Sequence, residues 1–74
     1  MKYYRDDIFI KKFGKHLKKI RKSKDVSQEE LAYRTDFELS QIGRIERGTV
    51  NTSISHISAI AKALDVHPSE LFKF

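Results

Sequence analysis

The apolar residues of this chain recur at steps of three and four, and that spacing favours helices over strands. Phe9 or Ile10, Phe13, Leu17 and Ile20 form one stripe, which predicts a helix over roughly 8–23 with lysines on its other face. Leu31, Ala32 and Thr35 make a second, shorter stripe, and Ile42 and Ile45 a third. A fourth carries Ile54, Ile57, Ile60, Ala61 and Leu64. No β-branched alternation of the strand period appears. One proline and three glycines punctuate the chain, and no linker, repeat or low-complexity tract interrupts it. The expected fold class is all-α. Five short helices would share one core of about fifteen apolar side chains in a single domain, 1–74, with residues 1–7 as a flexible N-terminal arm.

Local signals set the boundaries. Ser27 is a good N-cap, and Glu30 three residues on completes a capping box. Asp36 falls where the second helix should end. The third starts near Glu38 and stops at Gly48, which suits the left-handed position after a helix. Asn51, Thr52 and Ser53 supply turn and cap chemistry before the fourth. Pro68, a residue favoured in the first helical position, opens a last short helix with Leu71 and Phe72.

Composition excludes several kinds of chemistry. The absence of cysteine rules out a disulfide framework and a thiolate metal site, and fits a reducing compartment. No apolar run approaches the ~20 residues that span a bilayer, and the N-terminus lacks a signal-peptide core. A soluble cytoplasmic chain is expected. His16, His56 and His67 stand far apart on different helices, so neither a metal site nor a cofactor is expected. His56 reads as a surface residue and His67 as one adjacent to a cap. With no nucleophile elbow, no Gly-rich phosphate loop and little room for an enclosed pocket, the chain does not read as an enzyme.

Net charge is +5, and its distribution says more than its total. Residues 1–24 hold ten Lys and Arg against two Asp and Glu, while residues 25–74 hold five against eight. A basic segment on a nearly balanced body points to a polyanion, either nucleic acid or an anionic membrane.

The stretch FELSQIGRIERG, residues 37–48, favours nucleic acid. At 100° per residue Ile42 and Ile45 fall on one side, and Ser40, Gly43, Arg44 and Arg47 on the other, with Leu39 at the edge. A mid-helix glycine costs about 1 kcal/mol relative to alanine. Ala32, four residues before the turn at Asp36, lets two short helices cross closely at roughly 90–120°. The third helix then projects a small, polar, cationic face. Such a face matches a DNA major groove, about 12 Å wide, and Gly43 would let the backbone approach it closely.

At these residues the sequence resembles a family. SQEELAYRTDFELSQIGRIERG, residues 27–48, looks like the helix-turn-helix of phage repressor and Cro proteins, in the bacterial superfamily of xenobiotic-response-element type. SISHISAIAKALDVHPSELF, residues 53–72, is similar to that family's fourth and fifth helices. The resemblance implies a compact five-helix, lambda-repressor-like domain that binds DNA in a sequence-specific way. It implies base contacts from Glu38, Leu39, Ser40 and Arg44, and backbone contacts from Ser27, Gln28, Gly43, Arg47, Thr49 and Asn51. Arg21 and Glu46 match an internal ion pair between the first and third helices. Three positions depart from the pattern: Asp36 replaces a turn glycine, Thr52 replaces a proline, and Glu38 sets a carboxylate towards phosphates. Asp tolerates positive φ, and Glu38 could accept a hydrogen bond from cytosine N4.

A dimer on a pseudo-palindromic operator is expected, because one helix reads too few base pairs. Ile57, Val66, Phe72 and Phe74 are its expected interface. With no segment left over for an effector domain, occupancy would follow concentration, which resembles phage switches and the controller proteins of restriction-modification systems. Two alternatives remain. One is an antitoxin-type protein of the same fold that also binds a toxin; the other is a basic amphipathic helix, residues 9–24, that docks on a membrane or partner.

Overall fold

Short polar side chains start most of the helices in the computed structural model, which describes residues 4–74. Helix α1 spans Asp7–Ser23, and Asp6 Oδ1 accepts from the Phe9 amide at 3.0 Å. Helix α2 spans Gln28–Thr35, and Ser27 Oγ accepts from the Glu30 amide at 3.0 Å. Helix α3, Leu39–Arg47, begins at Glu38, whose side chain makes no capping bond. Helix α4, Ile54–Ala63, is capped by Ser53 Oγ on the His56 amide. Each such cap contributes about 0.5–2 kcal/mol.

The exits rely on aspartate as much as on glycine. Asp25, Asp36 and Asp65 take φ of 56°, 61° and 56°, and Gly48 takes 72°. Asp enters the left-handed region more readily than most residues because its short carboxylate bonds locally. The missing turn glycine at position 36 is therefore replaced without loss of the turn.

All described elements are helical, but the fifth differs from expectation. Pro68–Phe72 is a five-residue 3₁₀ helix, so the architecture is four α-helices and a 3₁₀ segment. His67 is its cap rather than a neighbour of it, accepting through Nδ1 from the Ser69 amide at 3.1 Å. Helix α3 packs on α1 and α2, α4 packs on α2, and the 3₁₀ segment closes against α1 and α4. His16 Nε2–H donates to the Glu70 carbonyl at 2.9 Å, and Arg34 Nη1 donates to the Ala63 carbonyl at 3.0 Å. These two bonds fasten the 3₁₀ segment to α1 and the end of α4 to α2.

Eleven apolar residues are buried in one core, and Ile20, Phe37, Val50, Ile57, Ala63 and Val66 pack partly against it. Leu17, Leu31, Ile42, Ile60 and Leu71 expose nothing. Two residues of the expected stripes lie elsewhere: Phe9 is half-exposed and Ile54 is 85% exposed. Ile54 is the first residue of α4. The capping box is half-formed, because Glu30 pairs with Arg34 one turn on, at 3.4 Å, instead of with the Ser27 amide. Of the expected N-terminal arm, residues 1–3 lie outside the described residues. Asp7 is already helical, and Arg5 Nη2 donates to the Thr49 carbonyl at 3.3 Å.

The apolar stripe of α1 is inside this core, since Phe13 and Leu17 are buried. A detachable membrane or partner helix would have left it free. Gly14, beside that stripe, is where α1 and α3 cross. A Cβ there would lie 2.4 Å from the Ile45 carbonyl oxygen and 2.6 Å from that of Glu46. Both obstacles are backbone, so the helices would have to separate. Gly14→Ala should therefore lose about 1–3 kcal/mol, lowering the melting temperature by about 4–8 °C per kcal/mol. Thermal melting followed by circular dichroism checks this, and an unchanged melting temperature would contradict the contact.

Candidate nucleic-acid interface

Helix α3 is anchored from below and open above. Ile42 and Ile45 are sealed in the core, while Glu38, Leu39, Ser40, Arg44 and Arg47 are exposed. The 36–38 turn that delivers α3 is held by Thr35, whose Oγ1 donates to the Leu31 carbonyl at 2.8 Å and accepts from the Phe37 amide. The Phe37 amide also donates to the Ala32 carbonyl at 3.1 Å. Ala32 is buried where α2 meets this turn, as its small size allows.

The C-terminal end of α3 is tied as firmly. Gly48 combines its left-handed φ with a close approach: a Cβ there would lie 2.6 Å from the Lys11 Cα. The amide and hydroxyl of Thr49 both donate to the Arg44 carbonyl, at 3.1 and 3.2 Å. The basic start of α1 is thereby placed against the end of α3. Every lysine of α1 is exposed, and Lys11 puts positive charge at that flank.

Gly43 differs from expectation. It is buried rather than open, because the Arg47 guanidinium folds back over it, with Nη1 3.0 Å from where a Cβ would sit. The glycine leaves a seat for that guanidinium, which must swing away before backbone could approach DNA.

Below the exposed face lies a buried charge cluster. Arg21 Nε and Nη2 donate to Glu46 Oε2 and Oε1 at 2.6 and 3.0 Å, and Nη1 donates to the Val26 carbonyl at 2.8 Å. The side chains are only 7% and 2% exposed. The hydrogen bond that Arg21 donates to Glu46 raises the Arg21 pKa above its ordinary value, against the opposing effect of burial. Gln28 joins this cluster, its Nε2 donating to Glu46 Oε1 at 2.9 Å. The residue expected at a phosphate is thus already held by one amide hydrogen. Its other hydrogen, its oxygen and the free first-turn amides of α2 remain for a ligand. Ser27 Oγ is engaged as the cap.

Between α3 and the start of α4 runs an open groove of about 400 Å³. It brings together Glu38, Ser40, Arg44 and Asn51 with Gln41, Thr52 and His56. His56 is no simple surface residue: its ring meets Phe37 edge-on, centroids 4.7 Å apart, and it is partly buried. From the sequence alone Gln41 has no assigned role and His56 reads as a surface residue. Position 41 falls between Arg44 and Ile45 on the helical wheel, and that edge was the available signal. No group of three or more His, Cys, Asp or Glu that could hold a metal occurs among the described residues. None of the described helices is long and apolar enough to cross a membrane.

The expected dimer residues fall in two settings. Ile57 and Val66 are half-buried on the core. Phe72 and Phe74 are 40% and 47% exposed. They extend an aromatic cluster on α1, with Phe72 5.1 Å from Phe13 and Phe74 5.1 Å from Phe9 between ring centroids.

A short helix fastened across its predecessor, presenting small and cationic side chains outward, defines a helix-turn-helix. The family model described as helix-turn-helix matches residues 17–71, and the chain belongs to that family of DNA-binding transcriptional regulators. It is 46% identical over 63 residues to control protein C.BamHI of Bacillus amyloliquefaciens, covering 84% of this chain and 78% of that protein. It is 41% identical over 68 residues to control protein C.MunI of a Mycoplasma species, covering 90% of each. Among solved structures, the restriction-modification controller protein C.AhdI of Aeromonas hydrophila superposes with a TM-score of 0.83 at 43% identity. That superposition covers 85% of this chain and 96% of C.AhdI.

Removing one partner of the buried pair strands the other. Glu46→Ala should cost about 3–5 kcal/mol, whereas Arg21→Met combined with Glu46→Leu should cost far less. Urea unfolding of the single and double variants measures the difference. Equal losses in both would show that the pair is not what holds α1 to α3.

Proposed function

We propose that the chain is a sequence-specific regulator of the restriction-modification controller type, which binds a pseudo-palindromic operator as a homodimer. The observation that carries this is the exposed face of α3, with Ser40 and Arg44 aimed outward from a helix fixed at both ends. Its similarity to proteins named as control and controller proteins supports the biological setting. It acts by occupying DNA rather than by chemistry, and it works in the cytoplasm on the nucleoid.

The assignments divide by depth. Glu38, Leu39, Ser40 and Arg44 line the groove wall or the tip of α3 and read base edges. Gln28 and the start of α2 hold one phosphate, while Arg47, Thr49 and Asn51 hold another at the far end of α3. Ser27 and Gly43 shape these two ends, the first as a cap and the second as a seat for Arg47. Phosphate contacts fix the register, and base contacts give specificity. Lysines of α1 add sequence-independent attraction.

Two experiments test the reading. Arg44 can pair with guanine O6 and N7, a contact worth about 1–3 kcal/mol of discrimination. Arg44→Ala should relax preference at one position while leaving the melting temperature unchanged. Arg47→Ala should weaken all duplexes alike and lower the salt slope by about one. Duplexes enriched from a random pool, then titrated at two salt concentrations, separate the two effects. Equal loss of Arg44→Ala binding on enriched and random duplexes would remove the base-reading role.

The dimer is tested by sedimentation and half-sites. Two α3 helices should sit about 34–36 Å apart on DNA, joined through Ile57, Val66 and the Phe72–Phe74 end. Phe74→Ser should shift sedimentation towards monomer and weaken full-site binding more than half-site binding. A protein that stayed monomeric, and bound a half-site as tightly as the full site, would defeat the proposal.

A further inference from the structure

Gln41, His56 and Thr52 form a polar cluster beside the recognition face to which no role has been given. Gln41 lines the groove with Glu38, Ser40 and Arg44. Its Nε2 lies 3.4 Å from His56 Nε2, and His56 Nδ1 lies 3.4 Å from Thr52 Oγ1. These are loose hydrogen bonds that a small side-chain rotation makes or breaks. The edge-on contact with Phe37, at 78° between the ring planes, restricts the imidazole to this position.

The chemistry of the pair fixes the proton. An amide nitrogen only donates, so His56 Nε2 accepts from Gln41. The proton of the neutral ring is then on Nδ1, which donates to Thr52 Oγ1. With one amide hydrogen turned to His56, Gln41 has its oxygen free to accept and its second hydrogen free to donate.

We propose that His56 is a positioning residue that decides which end of the Gln41 amide reads a base edge, so that one base preference depends on the charge of the imidazole. The proposal rests on the base-reading assignment of α3. A protonated imidazole carries two donors and no acceptor. It opposes the amide nitrogen and holds the oxygen, so the amide turns over and presents its NH₂. An outward oxygen accepts from adenine N6 or cytosine N4, whereas an outward nitrogen donates to guanine O6 and N7 or thymine O4. The charged groups lining this groove are Glu38 and Arg44, both from α3 and opposite in sign. The loop before α4 and α4 itself add no charged group to the lining besides His56.

The test enriches bound duplexes from a random pool with the full chain at about pH 8 and about pH 6. Wild type, Gln41→Ala, His56→Gln, His56→Ala and Arg44→Ala are compared, each first shown to melt as a folded protein. Wild type should shift its preference at one position of each half-site, from A or C towards G or T, by about fivefold or more. Gln41→Ala should have no preference there at either pH. Both His56 variants should show the same preference at both. Arg44→Ala should lose preference at a different position and keep the shift. A wild type with one preference at both pH values, or a His56 variant that keeps the shift, overturns the proposal while Arg44 still demonstrates base reading. If wild type enriches no sequence at either pH, the base-reading assignment fails and this proposal falls with it.

Discussion

The buried Arg21–Glu46 pair is the interaction on which the rest of the structure depends. Its partners come from α1 and α3, and its remaining bonds reach Val26 before α2 and Gln28 at the start of α2. The ion pair therefore fixes three elements relative to one another, the guanidinium holding α1 to α3 and the Glu46 carboxylate holding Gln28 of α2. A hydrophobic contact of similar size could supply comparable stability, but it has no direction. The fork of five donors against a carboxylate has one geometry, and α3 is held at one rotation about its axis. That rotation decides which side chains face outward. No buried side-chain polar atom among the described residues lacks a partner, so the cluster does not leave a charge stranded.

Helix α3 has only nine residues, too few to be stable alone in water. Its order comes from its surroundings: two isoleucines below, Gly14 at the crossing, the left-handed Asp36 in the turn before it and the left-handed Gly48 at its exit. Because the ends and the underside do the fastening, the upper face is free of structural duty. Ser40 and Arg44 can be chosen for what they touch rather than for what they stabilise. The same division explains the covered Gly43, where the lack of a Cβ seats an arginine instead of exposing backbone.

Lys11 of α1 approaches the end of α3, while Lys12, Lys15 and Lys19 share a groove with His16 and Phe74. Lys11 adds positive charge beside the C-terminal end of α3. The aromatic residues Phe9, Phe72 and Phe74 gather where α1 begins and the chain ends. They are half-covered by one another and half-exposed.

What the sequence determined by itself was periodic or local. The three- and four-residue steps marked the helices, and single residues such as Ser27, Asp36, Gly48 and Pro68 marked their ends, because caps and turns depend only on neighbours in the chain. The ion pair was legible only through resemblance, since residues 21 and 46 carry no periodic signal linking them. What tertiary structure decided was everything set by distance between elements. It exposed Ile54, turned the last helix into a 3₁₀ segment, drew Gln28 into the Arg21–Glu46 cluster and folded Arg47 over Gly43. It also brought His56 of α4 to Gln41 of α3. Burial and side-chain partners depend on where a second element lies, and periodicity along one helix does not contain that position.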